Sequence, residues 1–247
     1  MVDRNSSTPM YIQLENILEG AIKNGEYKEE NKLPSESLLC IKYGVSRVTV
    51  RQALNLLEQK GLVYTVQGKG TFVKKTIINQ ELLKVINFGK VLLEKGLDGH
   101  TAIDSFILEA QNVQARELFG TDDSASICNL NLVGYSRNTP IVYYQSFFYK
   151  KTGMLMHECA KEMEREGEAF SSFDLYEKSG IKIDKISQNI MAVSANKELS
   201  KILKVPLGEA LLLLESKLHG DEGTPLEYKL GYYRSDKFAF TIKREIL

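Results

Sequence analysis

The feature that most constrains the fold is a pair of short segments, each with a serine before it and a glycine after it. They are residues 36–43, between Ser35 and Gly44, and residues 47–60, between Ser46 and Gly61. A serine hydroxyl accepts a hydrogen bond from the first turn of a helix, and glycine tolerates the left-handed conformation that ends many helices. The segments are therefore predicted to be two helices joined by a short turn containing glycine, which is a helix-turn-helix.

Apolar spacing supports this interpretation. The segment 47–60 places Val50, Ala53, Leu54 and Leu57 on one face, as expected for a helix that packs on a core. A preceding helix is predicted over residues 9–24, because its apolar residues recur every three to four positions. The N-terminal residues therefore predict a small bundle of three helices.

Hydrogen-bonding side chains occupy the start of the predicted helix 47–60, namely Arg47, Thr49 and Arg51. The start of the second helix of such a motif is the part that enters a DNA major groove. Arginine commonly reads guanine, while threonine suits a phosphate or a thymine methyl group. Arg47 alone could be an ordinary surface charge. The phasing of the set with the apolar stripe favours a role in binding DNA.

The stretch VQGKGTFV, residues 66–73, could be a phosphate-binding loop or a hairpin turn. A phosphate-binding loop needs the pattern G-x-x-x-x-G-K-[ST], whereas Lys69 is followed by Gly70 and the position five before Gly68 is Val63. The residues that follow are β-branched and aromatic, as in a strand. The stretch is therefore predicted to be a hairpin, or wing, whose tip brings Lys69 to the DNA backbone or minor groove.

Charge is unevenly distributed along the 247 residues. The formal net charge is zero, yet residues 42–75 contain seven lysines and arginines against one acidic residue, Glu58. A local basic surface indicates a polyanionic partner, although a solvated face could have the same composition.

Several classes of protein are not indicated by the sequence. No apolar run reaches about 18 residues, and the first residues lack an apolar signal core, so neither a membrane span nor export is expected. The three cysteines, Cys40, Cys128 and Cys159, are scattered and suit free thiols in a reducing compartment. The histidines have no zinc-ligand spacing, and no nucleophile–base pair stands out. We therefore expect a cytoplasmic protein without metal, cofactor or catalytic residues.

The rest of the chain alternates strand-like runs with short helices. Hairpins are expected at the Asn138–Thr139 turn and between residues 211–219 and 226–234, with helices near residues 115–119, 170–178 and 196–203. The predicted class is α+β, with a mostly antiparallel sheet and flanking helices. The expected organisation is a DNA-binding domain over residues 1–75, a linker over 76–85 and a second domain over 86–247.

The stretches LPSESLL, YGVSRVTVRQALNLLEQKGLV and VQGKGTFV resemble the winged helix-turn-helix of GntR-type bacterial transcriptional regulators. The resemblance implies DNA contacts from the start of the recognition helix, the wing tip and the start of the preceding helix. These residues are Ser35, Glu36, Ser46, Arg47, Thr49, Arg51, Gln67, Gly68 and Lys69. Two departures stand out: Ser37 replaces the usual arginine, and Val48 stands where a hydroxyl residue is common.

The second half resembles the UTRA effector domain of the HutC-type branch, which has a chorismate-lyase-like fold. The stretches that carry this resemblance are NFGKVLLEKG, GYSRNTPIVYYQSFF, SSFDLYEKSGIKI and TPLEYKLGYYRSDKFAF. The resemblance implies a small metabolite that changes the affinity for operator DNA. The implied effector-binding residues are Asn87, Phe88, Arg137, Tyr144, Ser171, Phe173, Glu227 and Tyr233.

The class of effector stays open at this point. Arg137 is the only basic residue of a strand that supplies arginines in sugar-phosphate binders, and Tyr144 replaces a usual glutamate. This favours a less charged or more aromatic effector, but tyrosines and phenylalanines at such positions also build cores and dimer contacts. The main hypothesis is a homodimeric repressor that binds double-stranded operator DNA and a sugar, sugar phosphate or other small polar ligand. The alternatives are an architectural DNA-binding dimer without a ligand and a lyase-like enzyme.

Overall fold

A computed structural model describes residues 2–4, 6–75, 77–81, 87–123 and 126–243. The chain divides into two compact units, residues 1–76 and residues 77–247. Each is built around its own buried apolar residues, as expected of separate domains.

The first unit contains three helices and a hairpin. Its elements are α1 (Met10–Lys23), α2 (Glu36–Tyr43), α3 (Arg47–Gln59), β1 (Val63–Val66) and β2 (Gly70–Val73). Gly44 follows α2 with a φ of 66°, the left-handed conformation that stops the helix and starts the turn. The three helices, the turn and the hairpin of the sequence interpretation are all present, with bounds that differ by about a residue.

Complementary apolar faces hold these helices together. Leu14 and Leu18 of α1 pack with Val50 and Leu57 of α3, and all four side chains are fully buried. Lys60, just after α3, donates hydrogen bonds of 2.7 Å to the carboxylates of Glu15 and Glu19 on α1. These contacts determine which face of α3 is buried against α1, and they leave the opposite face exposed.

The wing hairpin is held by a third segment of backbone in addition to its own two strands. Residues 31–33 run beside β2, where the Leu33 N–H donates to the Thr71 carbonyl at 2.8 Å and the Val73 N–H to the Asn31 carbonyl at 3.0 Å. Gly70 has a φ of 114°, and a Cβ there would lie 2.5 Å from Cε of Lys32. The backbone conformation at position 70 therefore favours glycine, whereas the flexible end of the Lys32 side chain could move aside.

The second unit is built on a six-stranded antiparallel sheet with the strand order β4-β5-β6-β9-β8-β7. These strands are β4 (Gly99–Ile107), β5 (Ile127–Ser136), β6 (Thr139–Tyr149), β7 (Lys185–Ser194), β8 (Ala210–His219) and β9 (Pro225–Arg234). A separate parallel pair joins β3 (Ile78–Glu81) to β10 (Phe238–Thr241).

Helices cover both faces of the sheet. They are α4 (Phe88–Leu93), α5 (Val113–Phe119), α6 (Lys150–Arg165), α7 (Ser172–Ser179) and α8 (Lys197–Leu203). The largest apolar cluster unites α4, α6 and α7 with one face, whereas α5 and α8 each cover a smaller cluster on the other. The α+β class and the antiparallel sheet are as predicted. No helix within the described ranges is long and apolar enough to cross a membrane.

Three features differ from the sequence expectations. Part of the expected linker, residues 78–81, is a strand of the second unit, because it pairs with β10, which lies 160 residues later in the chain. The turn between β5 and β6 is at Arg137 and Asn138, where Arg137 has a φ of 54°. Two helices, α4 and α6, were not predicted. The buried residues of α6 are Gly153, Met156, Cys159 and Ala160, which form a weak apolar stripe.

Candidate nucleic-acid interface and effector cavity

The face of α3 opposite the core is open to solvent. Arg47 and Arg51 lie one helical turn apart on it, and Val48, Gln52 and Asn55 are exposed beside them. The predicted arginines therefore lie together on a free surface. Gln52 and Asn55 were missed at the sequence level, although their exposure follows from the same helical phasing, and such amides can pair with adenine.

The hydroxyl residues of the predicted set have structural partners instead. Ser46 Oγ accepts the Thr49 N–H at 3.2 Å and lies 2.9 Å from Thr49 Oγ1, and Thr49 is 9% exposed. Ser35 Oγ likewise accepts the Leu38 N–H at 3.3 Å. These serines are N-caps, and Thr49 faces inward because it is two positions from Arg47. Thr49 is therefore less accessible than Arg47 and Arg51, and its contact with DNA stays a prediction.

Glu36 lies close to this surface. Its carboxylate accepts hydrogen bonds from Arg51 Nε at 3.0 and 3.1 Å. Glu36 and Arg51 were both predicted to contact DNA, and in the DNA-free protein the Glu36 carboxylate offsets the positive charge of Arg51.

The wing tip is exposed and held in one turn. The Lys69 N–H donates to the Val66 carbonyl at 3.0 Å, and Gly68 has a φ of 75°. Gln67, Gly68 and Lys69 are all exposed, so the Lys69 ammonium is free to reach a phosphate.

In the second unit, five of the eight predicted effector residues line one cavity of about 20 Å³. They are Phe88, Tyr144, Ser171, Phe173 and Tyr233. The cavity lies between the sheet and the start of α7, and it has room for about one water molecule. Among the described residues, six more line this cavity, none of them predicted from the sequence: Gln80, Gln188, Leu214, Ser216, Lys229 and Gly231.

The other three predicted residues lie elsewhere. Asn87 lines a neighbouring cavity of about 380 Å³, which Asp174 also borders. Arg137 borders neither cavity, and its backbone N–H donates to the Asp98 carbonyl at 2.8 Å. Glu227 is fully buried and lines neither cavity. The family resemblance had grouped these three residues with the other five, because it carries no information on where each side chain lies in this fold.

The start of α7 separates the two cavities. Ser171 donates hydrogen bonds from its N–H and its hydroxyl to Asp174 Oδ2, at 2.8 and 3.2 Å. Burial raises the pKa of Asp174, although these hydrogen bonds oppose the shift. Ser171 borders the small cavity and Asp174 the large one, so a single helix turn forms a wall of both.

Lys229 is the unexpected member of the small cavity. It is 5% exposed, and its ammonium donates a 2.8 Å hydrogen bond to Ser172 Oγ. The same ammonium lies 4.4 Å from the ring centroid of Tyr144 and 4.8 Å from that of Phe173, distances at which the rings attract a cation. Burial lowers its pKa, while the charges of Glu227 and Asp174 act in the opposite direction.

A second buried charged residue, Glu227, lies near Lys229. Glu227 is two residues earlier on the same face of β9, and neither of its carboxylate oxygens has a hydrogen bond within the described part of the chain. Ser146 Oγ and Tyr176 Oη, which border it, also lack partners there. Burial raises the pKa of Glu227, and the positive charge of Lys229 opposes that shift.

These two surfaces define a class of protein: a DNA-binding winged helix-turn-helix joined to a domain with a polar cavity. Residues 10–73 match the family described as bacterial regulatory proteins, gntR family, and residues 94–239 match the UTRA domain. The chain therefore belongs to the GntR family, in the branch that carries a UTRA domain.

Individual relatives share both domains. The HTH-type transcriptional repressor NagR of Bacillus subtilis (strain 168) is 28% identical over 240 residues, which are 97% of this chain and 96% of NagR. The mannosyl-D-glycerate transport/metabolism system repressor MngR of Escherichia coli (strain K12) is 26% identical over 95% of both chains.

The crystal structure of PhnF from Mycobacterium smegmatis has the same fold, with a TM-score of 0.65 at 20% identity over 94% of this chain and 99% of PhnF. The protein is thus a bacterial transcriptional regulator of the repressor type, with a DNA-binding domain and a metabolite-binding domain.

Proposed function

We propose that α3 is the recognition helix and reads operator DNA through its exposed face. The observation that carries this proposal is the position of Arg47 and Arg51, one turn apart on the face opposite the apolar core. Gln52 and Asn55 extend the same face towards the middle of the helix. The wing tip, Gln67 to Lys69, supplies a backbone contact that positions the helix without reading sequence.

We propose that the effector binds beneath the start of α7. A cavity of about 20 Å³ is far too small for a sugar, so the first turns of α4 and α7 have to shift when the effector enters. Both turns also border the larger cavity, which supplies the additional space. In sequence, α4 follows the segment that leads from the DNA-binding domain. A ligand that prefers one position of α4 can therefore change operator affinity, and operator DNA must reciprocally change effector affinity.

We also propose a homodimer that forms through β7. This strand is the sheet edge, and it carries no charged residue from Ile186 to Ser194. Ile190 and Met191 on it are 44% and 41% exposed. The opposite edge is covered, because Thr101 and Ile103 of β4 donate their N–H groups to the Glu168 carbonyl and to Glu164 Oε1. A bare, uncharged edge invites pairing with a second copy.

Two-fold symmetry would present two recognition helices to a palindromic operator. We place this activity in the cytoplasm, where operator DNA is found.

Neither alternative function has comparable support. An architectural dimer without a ligand gives no reason for a buried lysine beside a cavity. For an enzyme, burial raises the pKa of Cys128 to about 11, which makes it a poor nucleophile. Among the described residues, no group of three or more His, Cys, Asp or Glu side chains could hold a metal ion.

The decisive experiment is a binding titration. DNA selected by the full-length protein from a random pool is labelled, and its anisotropy is measured with neutral sugars, sugar phosphates, sugar acids and mannosyl-D-glycerate. The proposal expects a palindromic selected sequence and at least one compound that changes its affinity. If binding shows no sequence preference, or no compound in any class alters it, the proposal of an effector-responsive regulator is wrong.

A further inference from the structure

The exposed face of α3 contains one apolar side chain, Val48. It is 66% exposed, whereas Val50, Leu54 and Leu57 of the same helix are buried in the core. Among the residues of α3, all of which the structure describes, Val48 is the only exposed apolar one. It lies two positions before Val50, which places it on the opposite side of the helix. Packing of the domain therefore does not account for an apolar side chain at this position.

The local structure does not require a valine at position 48 either. The N-cap of α3 is made by Ser46, whose Oγ accepts the Thr49 N–H at 3.2 Å. Valine is a weaker helix former than alanine or leucine, because branching at Cβ restricts its side chain in a helix. The same restriction holds the two methyl groups of Val48 in a nearly fixed position on the helix. Val48 therefore presents a small, rigid apolar surface to solvent.

The neighbours of Val48 on this face are hydrogen-bonding side chains. Arg47 precedes it, and Arg51 and Gln52 follow it by three and four residues, which places them one turn further along the same face. All three neighbours are exposed. Val48 thus lies between the groups proposed to read DNA, in the first turn, the part of a recognition helix that contacts base edges.

The base edges in the major groove offer one apolar group, the C5-methyl of thymine. The other groups read there are hydrogen-bond donors and acceptors. A valine methyl that covers one of them would displace its water without replacing the hydrogen bond, which is unfavourable. Contact between two methyl groups instead removes apolar surface from water. The side chain of Val48 is therefore complementary to thymine and not to the polar base edges.

From this position and chemistry we infer that Val48 is a specificity-determining residue, which selects a T·A base pair in each operator half-site by contact with the thymine methyl group. The inference rests on the proposed recognition helix and assigns a base contact that does not depend on hydrogen bonds from Arg47 or Arg51. Its contribution is that of about one buried methyl group, which corresponds to about fourfold in affinity for each half-site.

The test removes the thymine methyl group without changing base pairing. In the operator selected by the full-length protein, each symmetry-related pair of thymines is replaced in turn by deoxyuridine, and affinity is measured by anisotropy. The variants Val48→Ala and Val48→Ser lack both γ-methyl groups, and they should fold because this side chain lies outside the core. Val113→Ala is the matched control, since Val113 is 54% exposed in the first turn of α5.

We expect deoxyuridine at one symmetry-related pair to weaken binding by the wild-type protein about fourfold for each half-site. Val48→Ala and Val48→Ser should bind the thymine operator more weakly by a similar factor. They should also no longer respond to deoxyuridine at that pair, because the partner of the methyl group is already absent. Val113→Ala should respond as the wild-type protein does.

Two results would overturn the inference: wild-type binding that is unaffected by deoxyuridine at every position, and a methyl effect that both Val48 variants retain in full. If operator binding still depends on Arg47 in either case, α3 reads DNA without Val48 and the proposed function stands. If the protein selects no preferred sequence at all, the proposed recognition helix is itself wrong, and the inference about Val48 is refuted with it.

Discussion

Arg51 Nε lies 3.0 Å from Oε2 and 3.1 Å from Oε1 of Glu36, so the first half of α3 is tied to the first turn of α2. Both side chains are accessible to solvent, at 66% and 38% of their maximum. Such a pair adds about 0–1 kcal/mol to stability. Its larger consequence is electrostatic, because a carboxylate lies where α3 is expected to approach phosphates.

Glu36→Gln should therefore strengthen DNA binding. Removing the negative charge frees Arg51, and we expect about a threefold to tenfold higher affinity with a steeper dependence on salt. Anisotropy titrations over a range of salt concentrations measure both quantities. Glu26→Gln, at an exposed position of the same unit, is the control. Equal affinities for the two variants would mean that Glu36 and Arg51 do not face DNA.

Arg47→Ala should weaken operator binding by roughly 1–3 kcal/mol and relax the preference at one base pair. The reason is that an arginine at the start of a recognition helix reaches base edges in the major groove. The measurement is competition between the selected operator and single-base variants of it. Arg165→Ala, at an exposed position near the end of α6, should change nothing. Unaltered base preference in Arg47→Ala would refute the assignment of α3 to the groove.

Lys69→Ala should weaken binding to operator and unrelated DNA by a similar factor. The wing tip is expected to contact phosphates, so the slope of log affinity against log salt should fall in magnitude by about one. Lys151→Ala is a control with the same change of charge. A slope that stays at the wild-type value would place the wing away from the DNA backbone.

Ile190→Lys should shift the protein from dimer towards monomer. A lysine in the middle of β7 places a charge on the exposed sheet edge, where pairing with a second copy would bury it. Analytical ultracentrifugation gives the dissociation constant directly, and Leu207→Lys, at a 64% exposed loop position, serves for comparison. A dimer that tolerates Ile190→Lys as well as Leu207→Lys would require a different interface.

The buried charges at positions 227 and 229 should be energetically coupled. Glu227→Gln or Lys229→Met alone leaves one buried charge without the opposing one, whereas the double variant removes both. We expect the double variant to lose less stability than the sum of the losses in the two single variants. The difference, the coupling energy, should be about 0.5–3 kcal/mol. Calorimetry of the unfolding transition of the second unit measures this cycle. Strictly additive changes would show that the two charges do not interact.

Much of the DNA-binding domain could be predicted because its determinants are local. The serine caps, the glycine stops and the apolar stripe of α3 act within about one helical turn, and backbone geometry then fixes which side chains are exposed. Arg47, Arg51 and Lys69 were identified in this way. The sequence did not show that Thr49 is buried or that its hydroxyl lies 2.9 Å from Ser46 Oγ, because both follow from the cap geometry.

The effector cavity required the tertiary structure. Lys229, Ser216 and Gln188 are separated along the chain by 13 and 28 residues, and they meet only because three strands pair in one register. The strand β3 is likewise defined by a partner that lies near the other end of the chain. Sequence patterns predicted a strand over residues 226–234, but they could not show which of its inward residues lines a cavity and which lies buried beneath it.

The sequence by itself determined the two domains, the helix that presents Arg47 and the wing that presents Lys69, since neighbours along the chain control those elements. Only the tertiary structure decided that Glu227 is buried out of reach while Lys229 lines the cavity. The physical reason is that burial depends on how distant strands and α7 pack over a residue, and that packing also determines whether a charge stays in water or has to find a partner.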